Sequence, residues 1–126
     1  MRTIKIYCKE CEIELTSELI ETNLLFDYDF DIMGEHHFYV QHNETSNIKS
    51  IIVAINDHNL KDHHDTRRFQ GCCGSSGLDG MNKLCRNGHE VATEFSDCWT
   101  DNYIEFNSDK VIIKEKNYDS FKELKL

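Results

Sequence analysis

Cys8-Lys9-Glu10-Cys11 is the first stretch of the chain whose residue types and spacing can do chemistry. A C-x2-C pair in a tight turn aims two thiolates at one ion in the tetrahedral geometry that zinc accepts. Two ligands make only half a site. The other half has to come from Cys72, Cys73, Cys85, His89 or Cys98, all more than 60 residues further on. Cys85-Arg86-Asn87-Gly88-His89 is the strongest candidate, because a cysteine followed by Asn-Gly has the form of a second zinc-ribbon knuckle. It departs from that form at Gly88, where a second cysteine is usual. His89 then supplies the ligand as C-x3-H, or Cys72 or Cys73 folds in from the glycine-rich stretch, and spacing does not choose among the three. Adjacent Cys72 and Cys73 fit one tetrahedral ion poorly, so at most one of them is expected to be a ligand and the other to pack. The expected cofactor is a structural zinc on Cys8, Cys11, Cys85 and one of Cys72, Cys73 or His89.

Two other uses of these cysteines compete with the metal. Free cysteine is often a small buried hydrophobe. A redox pair at Cys8 and Cys11 needs the first thiol at a helix N-terminus in a βαβ unit, and the flanking residues read as strand instead.

The elements that would position the cysteines are mostly extended. Apolar and polar side chains alternate over Thr3 to Tyr7 and Glu12 to Leu15, which places the first cysteine pair in a hairpin turn. Phe26, Tyr28, Phe30 and Ile32 alternate with Asp27, Asp29 and Asp31, giving a strand with an aromatic face and an acidic one. His36 to Gln41 and Ile48 to Ile55 flank polar turn residues as a hairpin, the second run being a candidate central strand. Asn56 to Lys83 is polar and then glycine-rich, hence irregular. Strands return at Glu90 to Phe95, Tyr103 to Phe106 and Val111 to Lys114, and Tyr118 to Leu126 reads as a short closing helix. The expected fold is α+β, mostly β, in a single domain over 1–126: an antiparallel sheet with a zinc-ribbon-like knuckle and a short C-terminal helix.

Charge narrows the partners. Fourteen basic residues against 23 acidic ones give a formal net charge of -9 over 126 residues, and such a surface repels a nucleic-acid backbone. Between Lys9 and Glu35 nine acids stand against Lys9 alone. Asp27, Asp29, Asp31 and Glu35 are therefore the candidate contacts for a basic protein partner. Like charges ~6.6 Å apart along one strand face need compensation from inside the fold, from solvent or from outside. No run is long and apolar enough for a membrane helix, and the first residues lack the apolar core of a secretion signal, so a cytoplasmic location is expected, with neither membrane nor nucleic acid as partner. Six cysteines in a reducing compartment point to metal or redox chemistry rather than a disulfide framework.

An enzyme reading rests on Asp57, His58, Asp62, His63, His64 and Asp65. His58 and His63 are candidate ligands of a hydrolytic metal, with Asp62 or Asp65 orienting a ring. Their spacing matches no H-E-x-x-H pattern, and a solvated polar loop has the same composition. Phosphate-cradle, dinucleotide and serine-nucleophile motifs are absent from the sequence.

The stretch GCCGSSGLDGMNKLCRNGHEVATEFSDCWT, from Gly71 to Thr100, resembles a segment of small bacterial cysteine-rich proteins that also carry an N-terminal C-x2-C. Its most specific parts are Cys72-Cys73-Gly74, Asp79-Gly80 followed by Asn82, Asn87 to Val91, and Asp97-Cys98-Trp99. The resemblance implies no activity. It implies that these motifs belong to one local structure. For function, the expectation is a small acidic protein-binding module, such as an inhibitor or immunity-type protein for a basic nuclease toxin, stabilised by zinc. A metal-dependent hydrolase and a zinc-ribbon adaptor in a larger complex are the alternatives.

Overall fold

A computed structural model describes residues 2–23, 35–42, 49–98 and 102–125. Ten strands make up one sheet: β1 (Thr3–Cys8), β2 (Leu19–Glu21), β3 (His37–His42), β4 (Lys49–Ala54), β5 (Lys61–Asp62), β6 (Lys83–Leu84), β7 (Glu90–Phe95), β8 (Tyr103–Asn107), β9 (Val111–Asn117) and β10 (Ser120–Leu124). Their spatial order is β10-β9-β1-β2-β3-β4-β8-β7-β6-β5. Period-2 alternation explains the assignments. Ile4, Ile6 and Cys8 of β1, Ile104 and Phe106 of β8, and Val111 and Ile113 of β9 all turn inward into one cluster with Phe38, Ile51 and Val53. Each large apolar side chain fully withdrawn from water contributes about 1.5–3 kcal/mol before conformational entropy is subtracted. In β4 all of Ile51 to Ala54 are buried, Ile52 and Ala54 packing on the opposite face against Tyr39 and Tyr103. The strand is central, between β3 and β8.

The sheet must curl. Five strand spacings separate β8 from β9 in the spatial order, roughly 24 Å if the sheet were flat. Only residues 108–110 connect them, and the four steps from Asn107 to Val111 reach roughly 15 Å at full stretch. Curling brings together strand ends far apart in the order. Ser108 exchanges bonds with Lys49 at the start of β4, N to O at 3.1 Å and Oγ from N at 3.1 Å, and the Lys110 carbonyl accepts from the Lys9 N–H just past β1 at 3.2 Å.

Two expectations about the fold fail. The closing helix at 118–126 is absent: β10 pairs with β9 as an antiparallel hairpin through Tyr118 and Asp119. Phe121 and Leu124 have helix-like spacing, but so short a helix is marginal alone. The edge of β9 instead offers five residue pairings, from Ser120↔Asn117 to Leu124↔Ile113. Among the described residues the only helical turn is a 3-10 turn at Thr66–Phe69. The sheet is also mixed rather than antiparallel, since β2 and β3 run parallel with Ile20↔His37 and Glu21↔Phe38. Residues 22–36 between them exceed a hairpin turn and have the length of a crossover connection.

Other readings match. β3 and β4 form the expected hairpin, and the pair Cys8–Cys11 lies in the turn after β1. The limb after that turn is shorter than a strand, a single bridge from Glu14 to Tyr7 with backbone bonds from Cys8 to Ile13 and from Leu15 to Ile6. The acidic strand at 26–32, with Asp27, Asp29 and Asp31, lies outside the described residues, while Glu35 is exposed in the turn before β3.

Candidate metal centre

Alternation carries β1 inward at Ile4, Ile6 and Cys8, so Cys8 ends the strand pointing into the core with no exposure. The chain then reverses. Glu12 adopts φ 59 and donates its N–H to the Cys8 carbonyl at 2.8 Å, and this turn leaves Cys11 half-buried beside Cys8. The second turn is built between β6 and β7. Gly88 N–H donates to the Cys85 carbonyl and Cys85 N–H to the His89 carbonyl, both at 2.9 Å, while the His89 N–H points at Cys85 Sγ at 3.4 Å. Gly88 sits at φ +92, where a side chain is strained although a Cβ would meet nothing within 4 Å. The glycine at the expected cysteine position makes the left-handed corner, and the next residue, His89, faces the first turn.

Cys8, Cys11, Cys85 and His89 place one ligand atom each within 4.8 Å of one another, a group that could hold a metal ion. Cys11 Sγ lies 3.8 Å from Cys85 Sγ, and His89 Nδ1 lies 3.2 Å from Cys85 Sγ and 3.7 Å from Cys8 Sγ. A strut behind the site holds the two turns together: Asn59 donates its N–H to the Leu15 carbonyl at 2.7 Å, and its Oδ1 accepts from Arg86 Nε and Nη2 at 2.8 and 2.6 Å. Burial pushes the Cys8 thiol up to about 11. The backbone N–H of Ile13, with help from Asn87 and His89, brings Cys11 down to about 6, and hydrogen bonding to Cys85 and then Cys11 raises His89.

Cys72 and Cys73 lie elsewhere. They meet Cys98 in a second group of thiols, all three exposed and within 4.8 Å of one another. Neither packs in the core. The expectation that one of the adjacent pair packs does not hold, because Gly71 and Gly74 let the loop fold tightly over Asp97: a Cβ on Gly71 would stand 1.9 Å from the Gly74 carbonyl. Asp97, 6% exposed, accepts the backbone N–H groups of Cys72 at 3.3 Å, Cys73 at 3.0 Å and Cys98 at 2.7 Å. Those bonds, Cys73 first, hold its carboxyl below the usual range. Fully buried Asn82 braces the loop, donating to Ser75 Oγ at 2.8 Å and to the Arg68 carbonyl at 3.0 Å while its Oδ1 accepts from Glu94 N at 2.7 Å. The Cys-Cys-Gly, Asn82 and Asp97-Cys98 motifs share one local structure, whereas Gly88 and His89 of the Asn87 to Val91 run belong to the turn of the first cluster. Sequence reasoning missed Asp97 as its organiser, and the only signal for it is its place directly before Cys98.

The histidine-rich stretch spends its side chains on the loop itself. His58 Nδ1 accepts from Leu60 N at 3.1 Å and His63 Nδ1 from Asp65 N at 3.0 Å. Asp62 pairs with Lys83 at 2.5 Å, Asp65 caps the 3-10 turn and holds Arg67, and His63 Nε2 lies 3.6 Å from Glu90. Burial lowers the half-buried His58 ring. Among the described residues, the groups able to hold a metal are the two cysteine clusters, and His58 and His63 are in neither.

No family model, curated protein or solved structure matches the chain. Among the described residues no helix is long and apolar enough to cross a membrane.

Proposed function

We propose that Cys8, Cys11, Cys85 and His89 hold one structural zinc ion that staples the curled sheet of a non-catalytic, protein-binding domain. The observation that carries this reading is the closed ligand set. A tetrahedral zinc with ~2.3 Å bonds to sulfur and ~2.0 Å to nitrogen separates its sulfurs by ~3.8 Å and sulfur from nitrogen by ~3.5 Å. The Cys11–Cys85 S···S distance is 3.8 Å, His89 Nδ1 lies 3.2 Å from Cys85 Sγ and 3.7 Å from Cys8 Sγ, and all four ligand atoms lie within 4.8 Å of one another. Four protein ligands leave no position for water or substrate, which is the arrangement of structural rather than catalytic zinc. Three thiols with one imidazole suit zinc better than a hard cation.

The site links sequence-distant halves of the chain, so metal binding free energy becomes folding free energy. A domain of this size gains from such a clip.

For the partner, support comes from charge. The nine acids between Lys9 and Glu35, with Asp27, Asp29, Asp31 and Glu35 foremost, would draw a basic protein by long-range attraction. An inhibitor or immunity-type role toward a nuclease fits that charge, carboxylates standing where substrate phosphates would bind. The test is co-purification with the basic product of a neighbouring gene. Capture that weakens with added salt and with Asp27→Lys, Asp29→Lys and Asp31→Lys together, in a variant that still folds, supports the reading. Unchanged capture by that variant removes the acidic surface from it. Among the described residues, His58 and His63 belong to no metal-capable group on which the hydrolase alternative could rest.

A further inference from the structure

The second thiol cluster, Cys72, Cys73 and Cys98, is too deliberately built to be three incidental surface cysteines. Each thiol sits on a residue whose backbone N–H is fixed by the same carboxylate, Asp97, at 2.7 to 3.3 Å. The loop comes close enough only because residues 71 and 74 lack a Cβ. Behind it Ser75 accepts the N–H groups of both Ser96 and Asp97, at 2.9 and 3.0 Å, so the strand end bearing Cys98 is tied to the loop bearing the other two. The result is three sulfurs preorganised within 4.8 Å of one another at the surface.

We infer that Cys72, Cys73 and Cys98 form a second, exchangeable metal site for a soft monovalent cation, with copper(I) as the ion it fits best. Bonds of about 2.3 Å to three sulfurs in a plane set those sulfurs roughly 4 Å apart, inside the 4.8 Å within which the three lie. Among the described residues no fourth ligand joins the three thiols within 4.8 Å: the carboxylate at hand, Asp97, is engaged by the three backbone N–H groups and accepts from Cys98 Sγ at 3.5 Å. A three-thiolate set without nitrogen or oxygen selects a soft ion that accepts low coordination. Two of the sulfurs come from adjacent residues and all three side chains are exposed, so the ion stays open to solvent and to an incoming thiol. Such a site loads and unloads, in contrast to the buried cluster at Cys8. Binding releases the thiol protons to solvent and moves no electrons.

The test is a strictly anaerobic titration of fully reduced, zinc-loaded protein with copper(I) in competition with bathocuproine disulfonate, reading the chelator's colour and, in parallel, zinc released to a chromogenic dye. One copper(I) per chain withdrawn from the chelator with zinc retained, and at least tenfold weaker uptake in Cys73→Ser and in Cys98→Ser, is the expected result. These side chains are exposed, so both variants should fold. No withdrawal of copper, uptake only with release of zinc, or uptake indifferent to Cys98→Ser would each overturn the assignment. Failure of zinc at the first site would be seen separately, since copper uptake at the second does not need Cys8.

Discussion

Cys11 Sγ lies 3.8 Å from Cys85 Sγ although 74 positions separate the two residues in the chain. The strands that precede them are not neighbours in the sheet, β1 lying six places from β6 in the spatial order. Contact between them depends on the curl of the whole sheet, so breaking the cluster should be felt globally. Cys8→Ser and Cys85→Ser are expected to lose the metal and to destabilise the fold by several kcal/mol, on the scale of structural zinc sites. Thermal unfolding with and without a chelator checks this: the wild-type midpoint falls on chelation, whereas the variants start low and do not respond. A variant that keeps its full metal content and midpoint would refute the ligand set.

Gly88 separates a backbone effect from a packing one. A Cβ there meets no neighbour, but φ +92 is strained for any side chain. Gly88→Ala should therefore cost about 1–2 kcal/mol and weaken metal binding by shifting His89. Equilibrium denaturation read beside zinc affinity checks both, and Gly88→Ala at wild-type stability would show that the corner is not needed.

Tyr118 is the opposite case. It holds φ 58 in the β9–β10 turn while 92% exposed, so its ring contributes little burial. Tyr118→Gly is expected to stabilise by up to about 1 kcal/mol, the relief of left-handed strain offset by extra freedom of the unfolded chain. Denaturation midpoints decide it, and a clear loss of stability would mean that the ring has a role in the folded state.

Arg2 donates to Glu21 at 3.0 and 2.6 Å, clipping the start of β1 to the end of β2. The hydrogen bond from Arg2 holds the Glu21 carboxyl below its usual range. Since the folded value is depressed, the contribution is complete above the unfolded pKa of ~4.3 and is lost as pH falls through the folded value. Both side chains are about a quarter to a third exposed, so screening limits the pair to roughly 1 kcal/mol or less. Glu21→Gln should differ from wild type at neutral pH and low salt, with the gap closing in acid and in high salt. A gap that widens in acid would contradict the assignment.

His58→Ala and His63→Ala should leave bound zinc at one per chain, because neither ring belongs to a metal-capable cluster. Elemental analysis of each variant is sufficient. Loss of the ion in either would revive the hydrolase reading.

The extended segments were legible because period-2 alternation is a local signal: Ile4 and Ile6 announce β1, which the structure extends by one residue to the buried Cys8. The cysteine pair in a turn and the Cys85 to His89 turn were legible for the same reason. Which residue completes the site was not, since that depends on Gly88 turning left-handed and on the curl that brings β1 to β6. The C-terminal strand was misread as a short closing helix, because the free edge of β9 that pairs with it is a tertiary fact. Asp97 has only its place directly before Cys98 to mark it as the residue around which Cys72, Cys73 and Cys98 gather.

The most direct test of the central claim is the zinc content of tag-free protein purified without added metal, compared with that of Cys85→Ser. One equivalent of zinc per folded wild-type chain, and none in the variant, is the predicted result. A fully folded wild-type protein carrying no metal would contradict the account and leave Cys8, Cys11, Cys85 and His89 as a metal-free cluster of thiols and imidazole.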